Sequence, residues 1–402
     1  MSLFALTDNE ALEFADGHAT PCFVYRLDAA EERFRALSAV LPDRVRLAYA
    51  VKANPHPGIV ARFAALGSDF DVASIGELEL LRRAGVPGGR ILFAGPGKST
   101  EELELALSMG VRIEIDGLED AERIEGYLSA AAPAGRPASP LALSVRVHPA
   151  DGISESSRII GGAGPSAFGV DEEDLPRFLQ GMRSFRHIAV TGLQVFAASN
   201  ERDASRLIAN HRVALSIAER MAKDAKLDLE LIDLGGGLGI PYAEGEAELD
   251  IEALGKGLDL LLRENSWFGG KLLVEPGRWL VGPCGAYLSR VIRVKESRGT
   301  RFAVLEGGIN HLLRPLLTGQ PFPVRAPGRD GEAKNPARAG RERTCTLTGP
   351  LCTSLDRLCS VVLPPLGPGD LLVFGQTGAY GYTEAMGAFL SHPLPAEHCL
   401  DH

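Results

Sequence analysis

The sequence predicts an α/β fold, a closed (β/α)8 barrel followed by a mainly β domain, on three observations. Short apolar, β-branched runs alternate with helix-period segments as far as Glu275. Polar or glycine-rich residues stand directly after every one of those runs. Beyond Glu275 the texture changes to short runs broken by Gly, Pro and charge clusters, without helical periods.

In chain order, an opening segment ends in Pro21-Cys22-Phe23-Val24-Tyr25, a β-branched and aromatic run, and a helical stretch follows with Leu27, Phe34, Leu37 and Leu41 on one side. Strand-like runs then recur at 47–51, 69–72, 91–94, 112–115, 142–147, 188–196, 229–234 and 272–275. The intervals carry helix periods, as in 76–84 and 203–225. Eight such units favour a closed barrel, with an open doubly wound sheet as the lesser alternative. The barrel is expected over 28–276, and the β-rich domain over 277–402, completed by the amino-terminal strand within 1–27. Runs at 287–294, 302–305, 343–347 and 371–374 supply that domain's strands, and 131–140 and 325–341 read as exposed loops.

Composition narrows the function. The 402 residues, 45% hydrophobic and 23% charged, are ample for a well-buried core. A formal charge of -10 argues against a general affinity for nucleic acid or anionic lipid. No apolar run approaches membrane-spanning length and no secretory signal is evident, so cytoplasm is the default compartment. Cys22, Cys284, Cys345, Cys352, Cys359 and Cys399 show no metal-binding spacing and read as reduced thiols, with no metal expected.

A barrel places its chemistry after the strands, on the carboxyl face. There the chain supplies Lys52, Asp71 with Ser74, Gly95-Pro96-Gly97, Asp116, Arg146 and His148, Phe196 with Ser199, Gly235-Gly236-Gly237, and Glu275 with Arg278. Lys52 is either a solvated strand cap or an amine in a desolvated pocket, ready to form a Schiff base. The glycine run is a tight turn or a place where backbone amides approach a phosphate, and it follows the seventh strand, where barrels often bind one. Glu275 either pairs with Arg278 or keeps a ring nitrogen protonated. Pyridoxal 5'-phosphate, with its aldehyde, phosphate and pyridine nitrogen, would use all three features.

Tyr49-Ala50-Val51-Lys52-Ala53-Asn54, Phe70-Asp71-Val72-Ala73-Ser74, the glycine run to Gly239, Glu275-Pro276-Gly277-Arg278, Gly349-Pro350-Leu351-Cys352 and Gly378-Ala379-Tyr380-Gly381-Tyr382 occur in an order that resembles the fold-type III pyridoxal-phosphate decarboxylases, the relatives of diaminopimelate and ornithine decarboxylase. The resemblance runs from about Pro21 to Glu397. It implies an alanine racemase-like TIM barrel with a β domain, assembled as a head-to-tail homodimer with shared active sites. Lys52 then resembles the Schiff-base lysine, Glu275 the pyridinium partner, and Asp71 and Phe196 further cofactor contacts. Ser199, Gly235, Gly236, Gly237, Gly277, Arg278 and Tyr380 resemble the phosphate site. Cys352 resembles the proton donor supplied by the partner subunit, and Arg278, Arg314, Thr353 and Tyr380 the substrate contacts. The implied reaction is loss of the α-carboxylate of an amino acid as carbon dioxide, then protonation at Cα.

Two departures bear on that reading. Phe196 stands where the family places a histidine, keeping an aromatic face without a titratable nitrogen. Thr353 stands where decarboxylases of free diamino acids carry Asp or Glu against the distal ammonium, and Thr318 where diaminopimelate decarboxylases carry a Tyr. Together with the runs 93–98, 349–356 and 389–393, this resembles a sub-branch found in exosortase-associated, siderophore and antibiotic pathways. Some of its members act on amino acids joined to a larger group or a carrier protein. The expected substrate has an α-amino acid at its reacting end and no free ammonium at the other; diaminopimelate or another free diamino acid is the alternative. An amino-acid racemase would face the ring nitrogen with Arg, a non-catalytic cofactor carrier would lack the β domain, and a hydrolase using Asp116 and Glu275 would leave Lys52 unused.

Overall fold

The computed structural model describes residues 2–131, 139–150, 164–196, 199–328 and 342–401, so 132–138 of the first expected loop and 329–341 of the second lie outside the described residues. The chain divides into two compact units, one of 34–239 with 248–277, the other of 1–33, 240–247 and 278–402.

The first unit is the barrel. Its parallel strands are β1 (Val45–Ala50), β2 (Asp69–Val72), β3 (Ile91–Phe93), β4 (Arg112–Ile115), β5 (Leu141–His148), β6 (Ile188–Val195), β7 (Leu231–Asp233) and β8 (Lys271–Val274). They pair in the order β4-β3-β2-β1-β8-β7-β6-β5, and a β4–β5 pairing closes the ring. A closed sheet has no edge to protect. Side chains alternate inward and outward along each strand, so a polar residue at an inward position is delivered into the barrel interior.

Two local devices set the carboxyl face. After β1 the chain tightens into a 3-10 turn, Val51–Ala53, in which the Asn54 amide donates to the Val51 carbonyl at 3.0 Å. The buried Tyr49 hydroxyl donates to the Asn54 carbonyl at 2.8 Å, and its ring packs 4.5 Å from that of Phe63. Burying each such ring contributes on the order of 2 kcal/mol, which anchors the turn that carries Lys52. After β2, Ser74 caps the helix Ile75–Arg83 by accepting from the Glu77 amide, while the Glu77 carboxylate accepts from the Ala73 amide. Ser74 therefore serves the helix start rather than the chemistry.

The second unit is built on an eight-stranded sheet. Val324–Arg325, Leu371–Phe374, Gly285–Ser297, Thr300–Leu305, Arg343–Thr348 and Arg357–Leu363 follow one another across it. Cys22–Arg26 pairs antiparallel with Gly285–Ser297 and parallel with Ala396–Leu400. Leu6, Ala11, Ala15, Cys22, Val24, Ala286, Leu288, Leu371 and Val373 form a core beneath it. Val324–Arg325, Arg357–Leu363 and Ala396–Leu400 were not among the expected strands, and Arg325, expected at the start of a loop, ends the first of them. Arg357–Leu363 is a sheet edge whose outward residues, such as Val362, stay exposed, and Ala396–Leu400 carries Glu397 and His398, so neither presents a wholly apolar run. All six cysteines are free thiols; Cys22, Cys284 and Cys345 are buried and Cys352 is exposed.

Candidate active site

The barrel unit brings one set of the expected site residues together at its carboxyl face. Lys52 Nζ lies 2.9 Å from Asp71 Oδ2, and the lysine is 37% exposed while Asp71 is buried. Burial pushes the Asp71 carboxyl up to about 7, with a further push from Glu275, and Lys52 only partly offsets them. Asp71 thus exchanges a proton near neutrality, within hydrogen-bond reach of the lysine amine. Lys52 Nζ also lies 5.8 Å from the centre of the Phe196 ring, which follows β6. A cavity of about 320 Å³ is lined by Lys52, Lys98, Arg146, Phe168, Gln194 and Phe196, together with the small residues 94–97.

Glu275, after β8, is buried; its Oε1 accepts from Gln194 Nε2 at 2.8 Å, and its Oε2 meets no donor among the described residues. A buried carboxylate oxygen is costly unless a donor meets it. Arg278 Nη1 donates to the Tyr242 hydroxyl at 2.8 Å.

Close approach dictates the glycine run. Gly235 and Gly237 sit in the left-handed region, at φ of 70° and 94°. A Cβ on Gly235 would lie 2.7 Å from the Val195 carbonyl oxygen, and one on Gly236 would lie 2.5 Å from that of Glu275. Gly277 is as constrained, because a Cβ there would meet Ala53 Cβ at 2.8 Å, beneath the Lys52 turn. The Gly237 carbonyl accepts from the Glu201 amide, tying the loop to the segment that follows Ser199. Gly235 and Gly236 thus bring loop backbone against the ends of β6 and β8, and Gly277 brings it against the turn after β1.

Other strand-end residues are held structurally. Asp116 accepts from Lys98 Nζ at 3.0 Å and from the Gly169 amide at 2.8 Å, so it is not half of a hydrolytic carboxylate pair with Glu275. His148 contacts the Gly164 carbonyl through Nε2. Arg146 stacks 4.7 Å from the Phe168 ring.

The β unit holds the remaining set. The Arg278 guanidinium lies 4.7 Å from the centre of the Tyr380 ring, and that of Arg314 5.8 Å from it. Arg314 is buried and approaches Glu384 at 3.8 Å. Cys352 is exposed and Thr353 half-buried. The carboxylate of the buried Asp356 accepts from the Ile309 and Leu351 amides, both at 2.8 Å, so its two oxygens are committed to backbone.

The sequence reading passed over Glu77, Glu114, Gln194 and Asp233, all buried or deeply shielded at the barrel face. Period-two alternation was the available signal. Gln194 stands two residues before Phe196, and Glu114 and Asp233 each sit between two buried apolar residues of their strand regions.

An aldehyde-bearing pyridine phosphate fits these residues. The Lys52 amine stands beside the Asp71 carboxyl, a buried Glu275 oxygen meets no donor among the described residues, and a glycine loop brings bare backbone to the strand ends.

Comparison with known proteins agrees. Residues 27–282 match the family model "Pyridoxal-dependent decarboxylase, pyridoxal binding domain". The chain is 32% identical to a diaminopimelate decarboxylase of Zymomonas mobilis over 391 residues, covering 96% of this chain and 88% of the relative. It is 28% identical to the L-glutamyl-[BtrI acyl-carrier protein] decarboxylase of Niallia circulans, covering 94% of this chain and 88% of that one. Among solved structures, diaminopimelate decarboxylase of Helicobacter pylori complexed with L-lysine superposes with a TM-score of 0.85 at 25% identity, covering 97% of this chain and 93% of that one. The family match over the barrel, and a relative this similar over nearly the whole chain, place the protein among the pyridoxal-phosphate-dependent amino-acid decarboxylases of fold type III.

Proposed function

We propose that the protein decarboxylates an α-amino acid whose distal end is not a free ammonium, such as an amino-acid conjugate or an amino acid carried on a protein. One observation carries the substrate half of this reading. Both oxygens of Asp356 are engaged by backbone amides, which leaves Thr353, a neutral hydroxyl, as the side chain next to Cys352. A hydroxyl gives a distal ammonium none of the charge pairing that a carboxylate would. The Niallia circulans relative, named for a glutamyl group on an acyl-carrier protein, supports a conjugated substrate. The diaminopimelate decarboxylases among the relatives support the second reading, a free diamino acid.

Bound pyridoxal phosphate supplies an aldehyde for an amine and an electron-poor ring that accepts the electron pair left when carbon dioxide departs. The protein's residues then have distinct tasks. Lys52 Nζ offers the amine that holds the cofactor, and Asp71 Oδ2 takes up and returns its proton. Glu275 would offer a carboxylate to the protonated ring nitrogen and so keep the ring electron-poor. Phe196 would offer the ring an aromatic surface with no proton to exchange. Gly235 to Gly237, Gly277, Ser199, Arg278 and Tyr380 bind the phosphate. Arg278, Arg314, Thr353 and Tyr380 orient the substrate, and Cys352 of a second copy returns a proton to Cα. Barrel residues 28–276 are the cofactor domain, 1–27 with 277–402 the β domain, and the working unit is a cytoplasmic homodimer.

The test is carbon dioxide release by the cofactor-loaded protein across a substrate panel, with Lys52→Ala as the blank. The panel sets diaminopimelate, lysine, ornithine and arginine against conjugates whose distal end is an amide or a carboxylate. Turnover confined to conjugates is the expected result; strong turnover of a free diamino acid overturns the Thr353 argument.

A further inference from the structure

We propose that Glu114 is a proton-bearing positioning residue in the barrel core, whose carboxylic acid is shared with Asp233 and Glu275 so that the three groups together present one anionic carboxylate at the strand ends. The link to Glu275 rests on the proposed role of that residue, but the protonation itself does not.

Geometry carries the argument. Glu114 lies on β4 between the buried Ile113 and Ile115, and alternation turns its side chain to the opposite face, into the barrel. It has no solvent exposure, and neither of its oxygens has a hydrogen-bond partner among the described residues. Carboxylate oxygens of Glu114, Asp233 and Glu275 all lie within 4.8 Å of one another. Donors to this group are few: the Gly235 amide serves Asp233 Oδ1 at 2.8 Å and Gln194 Nε2 serves Glu275 Oε1 at 2.8 Å. Three negative charges at this spacing, away from water, repel one another far beyond thermal energy, whereas each added proton replaces a repulsion with an O–H···O bond.

The distribution of donors decides where the protons reside. Glu275 and Asp233 each have one donor that stabilises the anion, and Glu114 has none. Its surroundings agree with this assignment. Burial is the main influence holding the Glu114 carboxyl well above the usual range; Glu275 and Asp71 add to it, and Arg146 on β5 and Lys98 in the loop after β3 oppose it without cancelling it. Burial likewise holds Asp233 well above the usual range, with Glu275 and Glu114 adding to it. Glu114 O–H then gives the cluster the donor it otherwise lacks. It holds the remaining negative charge on the Asp233–Glu275 pair, each member of which has a donor of its own.

The decisive readout needs no cofactor. Infrared difference spectra of the apo protein, wild type against Glu114→Gln, should show a protonated-carboxyl stretch that persists above neutral pH in the wild type and loses the contribution of one acid group in the variant. Absence of that band, or its survival unchanged in Glu114→Gln, overturns the proposal. So does stoichiometric divalent cation in the purified apo protein that Glu114→Gln removes, because the carboxylates would then be metal ligands. Should Glu114→Gln fail to fold, wild-type protein made with isotope-labelled glutamate must show the same band displaced by the label. In the loaded enzyme, Glu114→Gln, a neutral donor of the same size, should keep the wild-type cofactor affinity, while Glu114→Ala should weaken it several-fold. A persistent acid band in a protein that decarboxylates nothing would refute the proposed function and leave this inference standing.

Discussion

Replacing Glu275 with Gln separates two effects of opposite sign. The substitution keeps the size and the contact with Gln194 and removes a buried negative charge. In the apo protein that charge is, after burial, the main influence raising the Asp71 carboxyl from 3.8 to about 7. A shift of about three pKa units corresponds to about 4 kcal/mol. The sign follows from proton binding: below the ordinary carboxyl pKa of 3.8 both folded and unfolded states hold the proton, and between there and about 7 only the folded state still holds it. The apo protein therefore loses stability as pH rises between those limits. Glu275→Gln lowers the folded-state pKa of Asp71, so less stability is lost across that window. In the loaded enzyme the same substitution removes a charge-assisted hydrogen bond worth roughly 1.5–3 kcal/mol, which should lower kcat about 10- to 100-fold with little change in KM. Denaturant unfolding of the apo variant across pH, alongside carbon dioxide release by the loaded one, reads both. A variant with unchanged kcat and an unchanged decline in stability between those limits would refute the role assigned to Glu275.

Two further predictions follow from single residues. His211, buried in the helix Ala204–Ala225 with Nδ1 unpartnered, is pushed down to about 4 by burial, so the unfolded chain takes up its proton first as pH falls below about 6.5. His211→Leu should flatten the loss of stability between those limits by at most about 3 kcal/mol, and an unchanged acid limb in chemical denaturation would count against it. Thr353→Asp should restore a partner for a distal ammonium, raising kcat/KM for free diamino acids about tenfold and lowering it for amide-ended conjugates; an unaltered preference would place the distal pocket elsewhere.

Legibility in the sequence followed physical pattern. The eight barrel strands were readable because parallel strands buried on both sides leave near-continuous apolar runs, and their ends were readable because β1 stops at the turn bearing Lys52 and β7 runs into three glycines. The glycine run was readable as a close approach, but its neighbours were not, since the Val195 and Glu275 carbonyls reach it only once the barrel closes. Ser74 looked like strand-end chemistry because a helix cap and a catalytic hydroxyl use the same residue type at the same place. Glu114, Asp233 and Gln194 escaped because each is a single polar residue in an apolar strand region, and their convergence requires β4, β6, β7 and β8 to share one interior. Asp356 read as structural from its motif, and the Ile309 and Leu351 amides that donate to its two oxygens supply the reason.

Reductive trapping tests most directly the claim on which the rest depends, that Lys52 holds the cofactor. Two lysines line the same cavity: Lys52 beside Asp71, and Lys98, which is buried and bound to Asp116 and the Gly95 carbonyl. Borohydride treatment of the pyridoxal-phosphate-loaded protein, followed by peptide mass spectrometry, should place the reduced adduct on Lys52, with none formed in Lys52→Ala. An adduct on Lys98, or one that forms as readily in Lys52→Ala, would contradict the account.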